Sequence, residues 1–398
     1  MLFYKILFLI FISINIWGKY VPFSNYYDEF ITFYSICLLL FIPNKKKNDT
    51  KYERLMVKCF ICVFLIGLFS TLKYQIQTQY SGIFKDCIAV SKFVICYYAF
   101  CTRISDKKKS IISKSVVPIS KFFIIIIFSF ALINLIIHSN ILTNGDRYGL
   151  PIYKFFYSHE TFLVSALVCM MAVIIANDPL KNIFYIVLGI VSILLTLKSK
   201  PILIVLFIVF AVYFKIRNIH KIKKKRIIFI SAILIILTVY FAYGQLNTYV
   251  NLGTSAARGA FYVYGLDIAI NNFPLGSGFC SFASTLSHEY YSPLYYEYGM
   301  QYIIGITEYD GSYAGDTFWP YIYAQYGFIG LLFYIAMIYY LFKSINNRFG
   351  FLSNGWIAAM VLLLYSLTAS FAESFFTNDS AIAFAIILSC YIKPENQI

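Results

Sequence analysis

Long apolar runs follow one another along this chain, and polar residues fall mainly in the short stretches between them. Within the runs the apolar residues are continuous rather than alternating, so they read as helices and not as strands. A hydrocarbon core of roughly 30 Å takes about 20 apolar residues per helical crossing, and a helix satisfies its backbone groups internally. Spans are expected near residues 2–17, 27–43, 56–72, 83–101, 119–137, 161–176, 182–197, 201–214, 227–244, 319–342, 352–370 and 380–392. Lys198, Ser199, Lys200 and Pro201 divide the seventh from the eighth. The first run follows Lys5 without a small-residue cleavage site and is expected to be a retained span. The expected fold is an all-α integral membrane protein with about 12 transmembrane helices, forming one domain without internal repeats.

Composition narrows the class. The chain is 60% hydrophobic and 13% charged, against about 25% charged in soluble domains, which excludes a soluble enzyme. A net charge of +15 raises the question of nucleic acid. The basic residues, however, cluster beside the spans, as in Lys45–Lys47 with Lys51 and Arg54, in Arg103 with Lys107–Lys109 and Lys114, and in Lys215–Arg226. Such clusters mark cytoplasmic loops, so no nucleic-acid partner is expected and the bilayer is the surrounding phase. The stretches 44–55, 102–118, 215–226 and 343–348, with both termini, then lie inside. Two longer loops lie outside, at 138–160 and at about 245–318 between spans nine and ten. Of the nine cysteines, Cys37, Cys62, Cys96, Cys169 and Cys390 fall within spans, and Cys280 falls in the large outer loop. Cys59 and Cys62 stand one helical turn apart in an apolar run and read as packing residues. The four histidines lack ligand spacing and no Gly-rich phosphate loop is present, so neither a metal nor a cofactor is expected.

The larger loop carries the chemistry. Arg258 is the one Lys or Arg between Arg226 and Lys343, and Asp267, Glu289, Glu297, Glu308, Asp310 and Asp316 share that segment. Guanidinium stays charged and binds phosphate bidentately, so anion recognition stands beside simple solvation as a reading of Arg258. A stretch of helical spacing (Phe261, Tyr264, Ile268) follows it and ends at Phe273-Pro274-Leu275-Gly276-Ser277-Gly278. There Gly276 and Gly278 would let the backbone approach a ligand. Residues 287–326 hold eleven tyrosines, which serve at bilayer interfaces and also stack on sugar faces.

At these positions the chain resembles the O-antigen polymerase and ligase superfamily of membrane glycosyltransferases. The resemblance rests on Arg258, on Pro274-Leu275-Gly276-Ser277-Gly278, and on Asp316-Thr317-Phe318-Trp319 through Gly327-Phe328-Ile329-Gly330. Thr196-Leu197-Lys198-Ser199-Lys200-Pro201 and Arg147-Tyr148-Gly149-Leu150 leading to Ser158-His159-Glu160 are similar to further family segments, and the whole covers about residues 140–335. Family ligases carry His, ten residues, then Gly, where this chain has Asp316, ten residues, then Gly327. That difference favours the polymerase branch.

The resemblance implies a protein of the bacterial inner membrane whose large loop is periplasmic. It would join undecaprenyl-diphosphate-linked repeat units into a surface polysaccharide. Arg258, Arg147 and Lys200 would meet diphosphate, Asp316 would act as general base, and His159 or Glu160 are alternatives for that base. Gly276, Gly278, Tyr313 and Trp319 complete the expected substrate contacts, and a chain-length regulator is an expected partner. The bland readings are a helix N-cap for Asp316, an interfacial polar side chain for His159, and a marker of the outer end of span eleven for Glu373. Two rival functions remain, a ligase moving finished polysaccharide to lipid A core, and a flippase, against which the lack of two related halves speaks.

Overall fold

The computed structural model describes residues 2–17, 21, 26–44, 51–217, 243, 247 and 251–392. Within them the chain is nearly all helical. The principal helices before the gap are α1 (Leu2–Trp17), α2 (Tyr27–Phe41), α3 (Lys51–Tyr74), α4 (Tyr80–Arg103), α5 (Asp106–Ile137), α6 (Glu160–Asn177), α7 (Ile183–Leu194) and α8 (Ile202–Ile216). After it come α9 (Ala257–Asn271), α10 (Thr285–Glu289), α11 (Pro293–Glu297), α12 (Trp319–Arg348), α13 (Asn354–Ala369) and α14 (Asp379–Ile386), the last continuing as a π-helical turn to Tyr391. Helices thus stand at eleven of the expected runs. The ninth run, near 227–244, lies outside the described residues apart from Tyr243.

Among the described residues four helices, α3, α5, α6 and α12, are long and apolar enough to cross a membrane, and shorter apolar helices accompany them. The side chains agree with a lipid surrounding. On α3, Met56, Phe60, Val63, Gly67 and Ser70 recur at helical spacing and are buried, chiefly against α12. The opposite face carries Ile61, Leu65, Phe69 and Leu72, all exposed. A helix apolar on both its packed and its outer face suits hydrocarbon and not water. At the centre, 83% of the most apolar stretch of α6 is enclosed by its neighbours. The fold is therefore that of a helical protein suited to a membrane.

Three features differ from the sequence reading. First, the basic stretches are not loops throughout. The stretch 102–118 is helical from Asp106, 44–55 is helical from Lys51, and 343–348 belongs to α12. Lys and Arg are good helix formers, and buried residues Lys109, Ile112, Ser113, Val116 and Val117 continue the packed face of α5 toward its N-terminus. Second, the loop at 138–160 holds an antiparallel hairpin, β1 (Thr143–Arg147) and β2 (Leu150–Tyr153), with Arg147 opposite Leu150. Its two turn residues, Tyr148 and Gly149, both have positive φ, as a tight hairpin turn requires. Third, α7 and α8 hold 12 and 15 residues, hence about 18 and 22 Å of helix, less than a full crossing.

The stretch 251–318 is folded onto the bundle. Its glycine turn is held by three elements. Ser277 N donates to Ala324 O (2.8 Å) and Gly278 N to Gln325 O (2.9 Å) on α12. These carbonyls are accessible because α12 is broken at Gly327 (φ 64°, ψ −172°). Ser70 Oγ on α3 donates to Leu275 O (2.7 Å), and Thr71 Oγ1 accepts from Phe279 N (2.8 Å). From α4, the buried carboxylate of Asp86 accepts from Cys280 N (2.7 Å). The turn is thereby tied to α3, α4 and α12 at once.

Candidate functional site

A cleft of about 470 Å³ opens where the ends of several segments meet. Its lining comes from 159–162 at the start of α6, 198–200 between α7 and α8, Arg258 on α9, Thr285 on α10, 312–316 before α12, and 372–378 between α13 and α14. The twelve spans expected from sequence put each of these segments on the outer side or at its border.

One side of the cleft is acidic. Asp316 and Glu373 stand on two backbone stretches joined by hydrogen bonds, Ser374 N to Gly315 O (2.9 Å), Ser374 Oγ to Thr317 O (3.2 Å) and Phe318 N to Ser370 O (3.2 Å). The cations come from elsewhere. Arg258, in the first turn of α9, donates from Nη2 to Asp316 Oδ2 at 2.7 Å. Lys200, just before α8, donates from Nζ to Glu373 Oε1 at 2.8 Å and to Ala372 O at 3.2 Å. All four side chains are between 18% and 27% exposed, reachable from the cleft. Burial holds the Asp316 carboxyl above its ordinary value, against the pull of the Arg258 guanidinium.

Beside these pairs lies a second charged group. Lys198 Nζ meets Glu160 Oε1 at 2.7 Å, Asn144 Nδ2 on β1 donates to Glu160 Oε2 at 2.8 Å, and His159 Nε2 stands 3.5 Å from the same oxygen. The Glu160 side chain is 3% exposed and does not line the cleft. His159 does line it, as the N-cap of α6, with Nδ1 accepting from Thr161 N (3.3 Å). That bond occupies the lone pair on Nδ1 and leaves the proton of the neutral ring on Nε2, facing Glu160. Burial keeps the ring below its ordinary pKa, with Glu160 opposing.

Of the residues expected from sequence, Arg258, Asp316, Lys200, His159 and Tyr313 meet in this cleft. Arg147 stands one layer away. Its Nη1 donates to Leu197 O (3.1 Å), and Tyr153 N to Leu195 O (3.1 Å), so the hairpin braces the turn that carries Lys198 and Lys200. Trp319 packs on Phe318 and Phe371 rather than lining the cleft. Gly276 (φ 76°) and Gly278 (φ 90°) lie against Gly327 and Thr71. A Cβ at Gly276 would overlap the backbone of α12, and one at Gly278 would stand 2.6 Å from Thr71 N. The glycines therefore admit protein backbone at these points. Lys198, Thr285, Ser312, Glu373 and Asn378 enter the cleft without having been singled out as site residues. Lys198 lies inside the matched Thr196–Pro201 segment, and Glu373 is legible as one of two acids, with Asp379, between apolar runs. Among the described residues no three or more His, Cys, Asp or Glu side chains converge as metal ligands.

No family model, curated protein or solved structure matches this chain.

Proposed function

We propose that this chain is a polymerase of lipid-linked oligosaccharides, joining undecaprenyl-diphosphate-linked repeat units at the periplasmic face of a bacterial inner membrane. One observation carries the reading. Arg258, Lys200 and Asp316, which stand in three separate segments of the sequence resemblance, line a single cleft at one end of an apolar helical bundle. Such a position lets a polar headgroup react while its polyprenyl chain stays in lipid.

In the reaction, a hydroxyl oxygen of the acceptor unit attacks the anomeric carbon of the donor glycan. The bond from that carbon to the phosphate oxygen breaks, and its electron pair leaves on the lipid diphosphate. The hydroxyl proton passes to Asp316. Negative charge gathers on the departing diphosphate, and preorganised cations in a site poor in water stabilise it most. Arg258 and Lys200 supply those cations, and the first backbone N–H groups of α9 add a partial positive charge beside Arg258. Raised by burial, the Asp316 carboxylate is a stronger base than a solvated one. The diphosphate already activates the donor, so a nucleotide is not required.

The test is transfer by the purified full-length protein in detergent, supplied with undecaprenyl-diphosphate-linked repeat units. A ladder of lengthened lipid-linked glycans with stoichiometric release of lipid diphosphate supports the reading. Absence of any lengthening, with glycan moved instead to an added lipid A core acceptor, would favour the ligase.

A further inference from the structure

Of the three Lys and Arg side chains that line the cleft, two are covered by a carboxylate from the acidic side, Lys200 by Glu373 and Arg258 by Asp316. The Lys198–Glu160 pair differs, because Glu160 is nearly inaccessible and is also held by Asn144 and approached by His159. Glu373 sits in a backbone turn fixed to residues 315–317, whereas Lys200 sits on a separate turn braced by Arg147. Their ion pair spans the cleft between two independently supported walls. Both partners stay reachable from the cleft, so the pair is open to exchange with a ligand anion.

We propose that Glu373 is a specificity-determining residue, an internal anion that occupies on Lys200 the position of a substrate phosphate oxygen and is exchanged for it on binding. The proposal rests on the reading of the cleft as a diphosphate site. A ligand with one negative charge gains nothing by replacing a carboxylate, since the swap leaves the charge beside Lys200 unchanged. A diphosphate brings more charge and more acceptor oxygens, so it displaces Glu373 and also engages Arg258. The same exchange at Arg258 frees Asp316 from its ion pair only when the diphosphate is in place, which ties the base to the presence of substrate. Glu373 thereby selects for multiply charged phosphate esters and keeps the cleft closed to carboxylates.

The experiment is binding of inorganic diphosphate to the full-length protein in detergent micelles, by calorimetry at constant ionic strength. Glu373→Gln removes the competing charge and should tighten diphosphate binding by about fivefold or more. Lys200→Gln should weaken it. A merely structural tie predicts the opposite sign for Glu373→Gln, because losing the tie loosens the wall. Unchanged or weaker binding in Glu373→Gln, while the variant melts at the wild-type temperature, overturns the proposal. So does a wild-type protein that binds no diphosphate. If Glu373→Gln tightens diphosphate binding but the protein lengthens no glycan, the exchange stands and the polymerase reading falls.

Discussion

Asp316 is held between two opposing influences, burial that favours its neutral form and Arg258 that favours its charge. In the proposed role of base it works only when deprotonated. Transfer should therefore fall as pH drops through a carboxyl pKa above the ordinary value near 3.8, and Arg258→Ala, which removes the lowering influence, should raise that pKa further. A pH–rate profile of the wild type measures the limb, an infrared titration of the Asp316 carboxyl in both proteins measures the shift, and a pKa that falls in Arg258→Ala would contradict the assignment. Asp316→Asn should cost about 10²- to 10⁴-fold in turnover with little change in melting temperature. His159 behaves differently. As N-cap of α6 its loss in His159→Ala should cost about 1 kcal/mol of stability while His159→Asn, which keeps the cap, restores both melting and transfer. Failure of Asn to rescue transfer would give His159 a chemical role. The Arg258–Asp316 pairing was only partly legible in sequence. The two lie 58 positions apart, and nothing in their spacing says that α9 begins where the chain turns back toward α12. The resemblance singled out both residues without bringing them into contact.

Helices were the most legible elements, because continuous apolar runs between basic clusters leave few alternatives in a chain this poor in charge. Their ends were less so. Lys and Arg flanking a span mark a side of the membrane in the sequence, but they also continue a helix, as on α5 from Asp106 and α12 to Arg348. The hairpin at 143–153 escaped notice because only Tyr148-Gly149 signals it and its strands do not alternate in polarity. The glycine turn was visible as a motif, yet its purpose was not. Gly276 and Gly278 admit backbone from α12 and α3, which depends on a break in α12 at Gly327 some fifty residues later. Gly327→Ala should accordingly destabilise by more than about 1 kcal/mol, since φ is positive there and the turn occupies the space of the new Cβ. Thermal melting in detergent reads the effect, and an unchanged midpoint would mean that α12 tolerates a straight course. Asp86→Asn keeps an oxygen acceptor for Cys280 N and should be milder than Asp86→Leu, which leaves that buried N–H without its partner.

At the scale of the whole molecule, the charge map and the cleft are two separate observations. The map assigns sides from Lys and Arg alone, and the structure brings the segments it assigns outward to a common cleft. At the opposite end, Glu53, Cys101, Lys109, Ser344 and Arg348 meet in a buried polar cluster made of segments assigned inward. The orientation follows as a prediction. A cysteine at the exposed Tyr309 should react in intact spheroplasts with a membrane-impermeant maleimide, while one at Lys108 should react only after lysis. The reverse pattern would turn the cleft toward the cytoplasm and remove the periplasmic reaction. The central claim, that the cleft polymerises repeat units through Arg258, is tested most directly by the surface polysaccharide of a deletion strain complemented with wild type or Arg258→Ala. The account predicts core carrying one repeat unit in the deletion strain, a ladder restored by wild type, and no ladder with Arg258→Ala. Bare core with long lipid-linked chains accumulating would make the protein a ligase, single lipid-linked units retained on the cytoplasmic face would make it a flippase, and a full ladder with Arg258→Ala would contradict the role of the cleft.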